Sequence, residues 1–307
     1  MSDIALLLKS YRGDIDYARR LIESFSLNNR DQLTMHCVVP AEDVELFSSL
    51  MRENVVLHAE EELIGGHLVR EPVGDLRVGY ANQEIVKMSF WETGLASNYF
   101  CVDSDAVFIR AFGVSDFMRD ETTPYSVLVE DNDLKVDPVY FERHWRGRER
   151  AIRTIMHEVG LEDPIMRTSH GHQVFSNVVW QSFVSEFLKA RGWTYRDALA
   201  CSPYEFSWYA MWLQKAAPIE IHQREPLVKV FHTEEQHLAS LMEGVQESDL
   251  ARGYLAVVVN SNFSRGLGVI DATGDKATAL APYLSYQELA RLGLTKFRNS
   301  FRRGKPN

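Results

Sequence analysis

The first 110 residues alternate between short apolar runs and amphipathic stretches. The apolar runs over residues 4–11, 33–40 and 54–58 predict buried β-strands. Between them, the spacing of apolar residues predicts helices over residues 14–29 and 41–52. Strands and helices that alternate with short connections indicate an α/β fold with a mostly parallel central sheet.

A further helix, predicted over residues 82–97, leads into a fourth apolar run at residues 99–102, and Asp103 and Asp105 follow it directly. Ligands of open parallel sheets bind beyond the carboxyl ends of the strands. Two carboxylates one residue apart make a hard oxygen site that suits Mg²⁺ or Mn²⁺, which complete their shells with phosphate oxygens and water. Two such acids also occur together by chance, so the hypothesis of a metal site depends on their position after this strand.

The second half of the chain is more helical and richer in aromatic residues. Its patterns predict helices over about 138–159, 174–190 and 202–215, and strands over 125–133, 227–233 and 254–263. No internal repeat or obvious linker interrupts the sequence. One continuous domain, over residues 1–265, is the simplest interpretation.

The segment over residues 283–307 places leucines and phenylalanines among six cations and follows an otherwise acidic domain. One interpretation is a basic amphipathic helix that rests on an anionic membrane surface. The other is a surface helix packed on the domain, with cations at the end that its dipole favours. Residues 266–307 are therefore predicted to be a basic amphipathic C-terminal extension.

Composition narrows the choice of function. The 307 residues carry 33 Lys and Arg against 43 Asp and Glu, a formal charge of −10, which disfavours a generic nucleic-acid binder. If the substrate carries phosphate, local cationic side chains or a metal ion must bind it. Cys37, Cys101 and Cys201 lie far apart, and the N-terminal apolar run is too short for a signal peptide, so a reducing cytoplasm is the expected location.

Four segments together carry a resemblance to a known family: LLLKSYRGD (6–14), NQEIVKMSFWETG (82–94), YFCVDSDAVF (99–108) and YEFSWYAMW (204–212). Over residues 4–235 the chain resembles nucleotide-sugar glycosyltransferases of the GT-A fold, near a bacterial group of mostly uncharacterised members. The resemblance implies a Rossmann-type α/β sandwich, with a nucleotide-binding half over about 1–110 and an acceptor half over about 111–265. It also implies a nucleotide-sugar donor, a saccharide or lipid-linked saccharide acceptor and a role in surface polysaccharide synthesis.

The resemblance assigns roles to several residues. Asp103 and Asp105 correspond to the acids that bind Mn²⁺ or Mg²⁺ and the donor diphosphate, and His232 corresponds to a histidine that completes the metal site. The residues at the end of the first strand, Lys9, Ser10 and Tyr11, are expected to line the nucleotide. Such an enzyme would work at the inner face of the membrane or free in the cytoplasm.

The chemistry of glycosyl transfer suggests further candidates. The departing diphosphate gains charge that a nearby cation can stabilise, and Lys87 is placed for this task unless it is an ordinary surface lysine. An acid near the reacting carbon is also required, and Glu205 lies among aromatic residues that could stack on a sugar. In the alternative interpretation, Glu205 has no catalytic role and is the single acid of a core helix, facing solvent. Asp131 is the second catalytic candidate; acceptor-binding candidates are its neighbours Glu130 and Asp133, with His170 and His172.

Two other functions fit the same acidic pair. In haloacid-dehalogenase-like phosphatases an Asp-x-Asp pair also follows an apolar strand, but usually the first strand of the domain, whereas three strand-helix units precede it here. A non-catalytic module that binds nucleotide or carbohydrate is also possible, because fold alone does not prove catalysis. A dinucleotide-binding dehydrogenase is disfavoured, since no GxGxxG follows the first strand.

Overall fold

The computed structural model describes residues 4–130, 141, 145–169, 171–232, 236, 237, 240 and 244–260. The strands in chain order are β1 (Ile4–Lys9), β2 (Met35–Val39), β3 (Val55–Ala59), β4 (Asn98–Val102), β5 (Ala106–Phe108), β6 (Tyr125–Ser126), β7 (Val174–Ser176), β8 (His222–Gln223), β9 (Val228–Phe231) and β10 (Ala256–Val259). The helices are α1 (Ile15–Asn28), α2 (Val44–Ser48), α3 (Glu60–Ile64), α4 (Val78–Ser89), α5 (Arg146–Glu158), α6 (Asn177–Ser182), α7 (Lys189–Arg191), α8 (Tyr195–Cys201), α9 (Glu205–Ala216) and α10 (Glu247–Leu250). The predicted C-terminal extension lies outside the described residues.

The central sheet has five strands in the order β3-β2-β1-β4-β7. The first four are parallel, and β7 runs antiparallel to β4 at one edge. This arrangement confirms the predicted α/β fold with a mostly parallel central sheet. Because β1 lies between β2 and β4, the carboxyl ends of β1 and β4 are neighbours, and Leu8 pairs with Val102 just before both strands end.

Strands β1, β2 and β4 are buried on both faces, which explains their mostly apolar sequences. Side chains of a strand alternate between the faces. Leu7, Tyr99 and Cys101 belong to one hydrophobic core, together with side chains of α4, α8 and α9. Phe100 and Val102 belong to the other core, with α1 and the smaller sheet. The sheet is therefore covered on both sides.

The smaller sheet has three strands in the order β5-β10-β9, and β6 pairs with β8 in a separate two-stranded sheet. Strand β10 runs antiparallel to β5 and parallel to β9. Only three residues, 103–105, separate β4 of the central sheet from β5 of the smaller one. The acidic pair thus lies at the junction of the two sheets.

One of the predicted helices differs from the structure at its start. The helix predicted over 174–190 begins with a strand, because Val174–Ser176 pairs with β4 and is fully buried; the helix starts at Asn177 and contains a π-helical segment, Phe183–Leu188. The helix predicted over 138–159 corresponds in its described part to α5, and residues 138–140 and 142–144 lie outside the described residues. Within the described residues, no helix is long and apolar enough to cross a membrane.

Candidate active site

A tight turn joins β4 to β5 and carries both aspartates. The backbone N–H of Ala106 donates to the carbonyl of Asp103 at 3.1 Å, which closes the turn. The hydroxyl of Ser104 donates to the hydroxyl of Ser10, at the end of β1, at 3.0 Å. The turn is therefore fixed at the carboxyl end of the parallel sheet, where the sequence predicted it.

Lys87 lies at the centre of the site and is only 3% exposed. Its ammonium donates to Asp103 Oδ1 at 3.1 Å and to Glu205 Oε1 at 2.9 Å, and it lies 4.9 Å from the centre of the Phe206 ring. Burial alone would lower the pKa of Lys87, but the carboxylates of Asp103 and Glu84 raise it above its usual value. Lys87 is thus a buried cation and not a surface lysine.

Asp103 and Glu205 are the two carboxylates that hold this cation. Burial would raise the pKa of Asp103, but the charge of Lys87 and the imidazole of His172 outweigh it, so the pKa of Asp103 is lowered. Glu205 is the first residue of α9 and is 4% exposed. A carboxylate at that position is favoured by the helix dipole. Glu205 therefore faces the site and not solvent.

His172 lies beside Asp103, with Nε2 3.7 Å from Asp103 Oδ2. Its backbone has a φ of 55°, and Gly171 before it has a φ of 120° with the Phe206 ring close by. Burial is the main cause of the lowered pKa of His172, and the nearby carboxylates of Asp103 and Asp105 oppose it. Its Nδ1 is buried and has no hydrogen-bond partner among the described residues. A strained backbone and an unmatched polar atom are typical of functional sites.

Glu84 is a second buried acid at the site, one helical turn before Lys87 on α4 and 2% exposed. Burial raises the pKa of Glu84 to about 7, although the charges of Lys87 and Arg148 oppose the shift. The charge of Glu84 in turn raises the pKa of Tyr80, on the preceding turn. Sequence reasoning missed Glu84, although its i, i+3 spacing from Lys87 is the signal that places both on one helix face.

The residues predicted to line the nucleotide differ in exposure. The ammonium of Lys9 is buried and lies 2.8 Å from Glu60 Oε2 and 2.8 Å from the carbonyl of Ser10. Ser10 is buried against the acidic turn, whereas Tyr11 is 39% exposed and its ring covers Gly13. Of the three side chains, Tyr11 is thus the one that faces solvent.

The turn that carries Tyr11 is hydrogen-bonded to the connection that follows the neighbouring strand, β2. The backbone N–H and the Nε of Arg12 donate to the fully buried carboxylate of Asp43, at 2.7 Å and 2.6 Å. Asp43 comes from the connection that follows β2. These two hydrogen bonds fix the turn after β1 to the connection after β2.

A Mg²⁺ or Mn²⁺ ion at the acidic turn would need several oxygen ligands. Within the described residues, no group of three or more His, Cys, Asp or Glu side chains is arranged to hold a metal. One or two carboxylates are enough when a diphosphate and water supply the other ligands. Asp103 and Asp105 fit that second case, in which the ion and the diphosphate bind together.

The third predicted ligand, His232, directly follows β9 and is buried. Ala106 pairs with Val258, and Val258 pairs with Val230, so β9 runs opposite to β5 in the smaller sheet. The end of β9 is therefore level with the acidic turn but two strands away, a backbone separation of roughly 10 Å.

Three candidates from the sequence, Asp131, Asp133 and His170, lie outside the described residues. Glu130 is described, and its carboxylate lies 3.9 Å from the guanidinium of Arg167. The structure thus brings together Lys87, Asp103, Glu205 and His172, with Ser10 tied to the same turn.

No protein-family model matches the sequence, and no curated protein matches it. Among solved structures, mouse xyloside xylosyltransferase 1 in its apo form is similar with a TM-score of 0.47 and 12% identity, over 85% of this chain and 99% of that one. The apo structure of the WbbM bifunctional glycosyltransferase is similar with a TM-score of 0.48 and 10% identity, over 95% of this chain. That alignment covers 51% of WbbM, so the chain spans about half of its length. Both are likenesses of overall fold.

Proposed function

We propose that this chain is a glycosyltransferase of the GT-A type. It would transfer a sugar from a nucleoside-diphosphate donor to a saccharide or lipid-linked saccharide acceptor, as in surface-glycan synthesis. The observation that carries the proposal is the buried ammonium of Lys87, held between Asp103 and Glu205 at the carboxyl end of the central strand. Burying the charges of Lys87 and Glu205 is costly, whereas Asp103 stays 37% exposed, so such a cluster at a strand end favours a catalytic function over a purely structural one.

Asp103 and Asp105 are proposed to hold Mn²⁺ or Mg²⁺ together with the donor diphosphate, with His232 as a further ligand. A bound divalent ion would neutralise part of the charge that the leaving diphosphate gains. Lys87 would add a fixed positive charge beside the same oxygens, in a site from which most water is excluded. Tyr11, exposed at the end of β1, would contact the nucleotide.

Glu205 is proposed to be a positioning residue that acts through Lys87. The carboxylates of Glu205 and Asp103 both accept from the ammonium, so Glu205 would keep Lys87 in place when Asp103 binds the metal and diphosphate. The imidazole of His172, which lies beside Asp103, is proposed to contact the donor sugar. Asp131 remains a candidate for the acceptor side.

The metal assignment predicts that nucleotide and metal bind together. Isothermal calorimetry with UDP, GDP, CDP and ADP should detect binding of one nucleotide in the presence of Mn²⁺. Asp103→Asn and Asp105→Asn should each weaken this binding at least about 30-fold, since each removes a charged oxygen ligand. Asp16→Asn, on an exposed carboxylate of α1, is the matched control. Unchanged metal-dependent binding in both site variants would refute the assignment.

Turnover tests the role of Glu205. Glu205→Gln should lower the rate of donor hydrolysis about 30-fold while the donor dissociation constant changes less than about threefold, because Lys87 loses its second carboxylate without losing its burial. Glu23→Gln, on the exposed face of α1, should change neither quantity. Equal losses in affinity and rate would instead indicate a general structural role.

The same preparation separates the proposal from the phosphatase alternative. A phosphatase would release inorganic phosphate from a simple phosphate ester and would bind phosphate mimics such as vanadate. A glycosyltransferase should release a nucleoside diphosphate from a sugar nucleotide and leave the ester intact. Phosphate release without nucleotide binding would favour the phosphatase.

A further inference from the structure

Arg148, in the first turn of α5, is packed against aromatic rings at the border of the site. Its guanidinium carbon lies 4.8 Å from the centre of the Tyr204 ring and 5.9 Å from that of Trp145. Tyr204 immediately precedes Glu205, the carboxylate that holds Lys87. A guanidinium that stacks on a ring keeps its N–H groups, which lie in its own plane, available for other partners.

A buried guanidinium is usually paired with a carboxylate, and Arg148 has no such partner among the described residues. Among the described residues, Arg148 forms no ion pair, and its Nε is buried without a hydrogen-bond partner. The other cations near the sheet end are paired: Lys87 with Asp103 and Glu205, and Lys9 with Glu60. A buried, unsatisfied donor on a charged group is costly, which suggests that a ligand completes it.

The position of Arg148 connects it to the proposed reaction. Its positive charge lowers the pKa of Asp103 and opposes the raised pKa of Glu84, so it lies within electrostatic range of both carboxyl groups. Arg148 comes from α5, far along the chain from the residues at the end of β1. A substrate that meets Asp103 would therefore come close to this guanidinium.

From these contacts we propose that Arg148, with Tyr204 as its stacking platform, binds an oxyanion of a substrate, either a carboxylate or a phosphate group. The planar guanidinium can donate two parallel hydrogen bonds to such a group, which an ammonium cannot do. The location of this subsite rests on the proposed function. Its oxyanion belongs to one of two sources, the donor diphosphate or an acidic group on the acceptor.

Calorimetry on wild type, Arg148→Lys, Arg148→Gln and Arg150→Gln tests the proposal. The probes are the nucleoside diphosphates with Mn²⁺, inorganic phosphate and glucuronate. Both Arg148 variants should bind at least one probe about tenfold more weakly than wild type. Lysine keeps the charge but cannot donate two parallel hydrogen bonds, and glutamine loses the charge as well. Arg150 is exposed two residues further along α5, so Arg150→Gln should bind as wild type does. A loss with nucleoside diphosphates identifies the donor as the source, and a loss only with phosphate or glucuronate identifies the acceptor.

Several outcomes would overturn the inference. It fails if wild type binds none of the probes, or if every probe binds both Arg148 variants with wild-type affinity. A further outcome is metal-dependent nucleotide binding that is lost in Asp105→Asn but unchanged in the Arg148 variants, with no loss for the other probes. This outcome would refute the inference about Arg148 and support the proposed function. Conversely, glucuronate binding that depends on Arg148 without any nucleotide binding would retain the oxyanion subsite and reject the donor. If Arg148→Gln unfolds, Tyr204→Leu replaces it: removal of the platform should weaken binding, and Tyr204→Phe should restore it.

Discussion

Lys87→Met is expected to destabilise the fold by about 3–5 kcal/mol and to reduce donor turnover by about 1,000-fold. Lys87 is buried between Asp103 and Glu205, and methionine fills a similar volume without charge. The substitution leaves the carboxylate of Glu205, 6% exposed, without its cation. An uncompensated buried charge is the reason for the large loss of stability, and the missing positive charge beside the leaving group is the reason for the loss of rate.

Urea unfolding and donor hydrolysis, measured on the same preparation, check this result. Lys215→Met is the control: Lys215 bonds the carbonyl of Gly160 at an exposed position, so its loss should cost less than about 1 kcal/mol. The double variant Lys87→Met/Glu205→Gln should recover part of the lost stability, because it also removes the carboxylate that was left unpaired. A single-variant loss below about 1 kcal/mol would show that the cluster is solvated and not the buried centre described here.

The central strands and the acidic turn could be predicted because their signal is local. Residues 4–11 and 33–40 are mostly apolar, as expected of strands buried on both faces, and Asp103 directly follows such a run. The short strand Val174–Ser176 could not be told from the helix that follows, because a buried apolar run has the same composition in either state. Only its pairing with β4 decides the matter.

The partners of the charged residues could not be predicted, because they join distant parts of the chain. Lys9 meets Glu60 across two strand ends, and Lys87 meets Glu205 across more than a hundred residues. In a single sequence, a charged residue on an amphipathic helix is normally assigned to solvent. Sequence analysis does not identify Glu84 and Arg148 for that reason. The sequence therefore indicates the kind of site, whereas the balance of charge within it required the structure.

Glu84→Gln is expected to stabilise the fold, and to do so only at neutral and alkaline pH. Burial raises the pKa of Glu84 from 4.5 to about 7, so the folded protein retains a proton that the unfolded chain has released. Below pH 4.5 Glu84 is protonated in both the folded and the unfolded state, so its burial does not lower the free energy of unfolding. As the pH rises toward 7 the folded state loses stability relative to the unfolded chain, and above 7 the full cost of about 3 kcal/mol is present.

Glutamine cannot ionise, so the variant avoids that cost. Its gain over wild type in the free energy of unfolding should therefore be about 2 kcal/mol larger at pH 8.5 than at pH 5. Glu23→Gln, on the exposed side of α1, should show no such difference between the two pH values. A gain that is the same at both pH values would mean that Glu84 is ionised in the folded protein at pH 5. In that case the positive charges of Lys87 and Arg148 would outweigh the burial of Glu84.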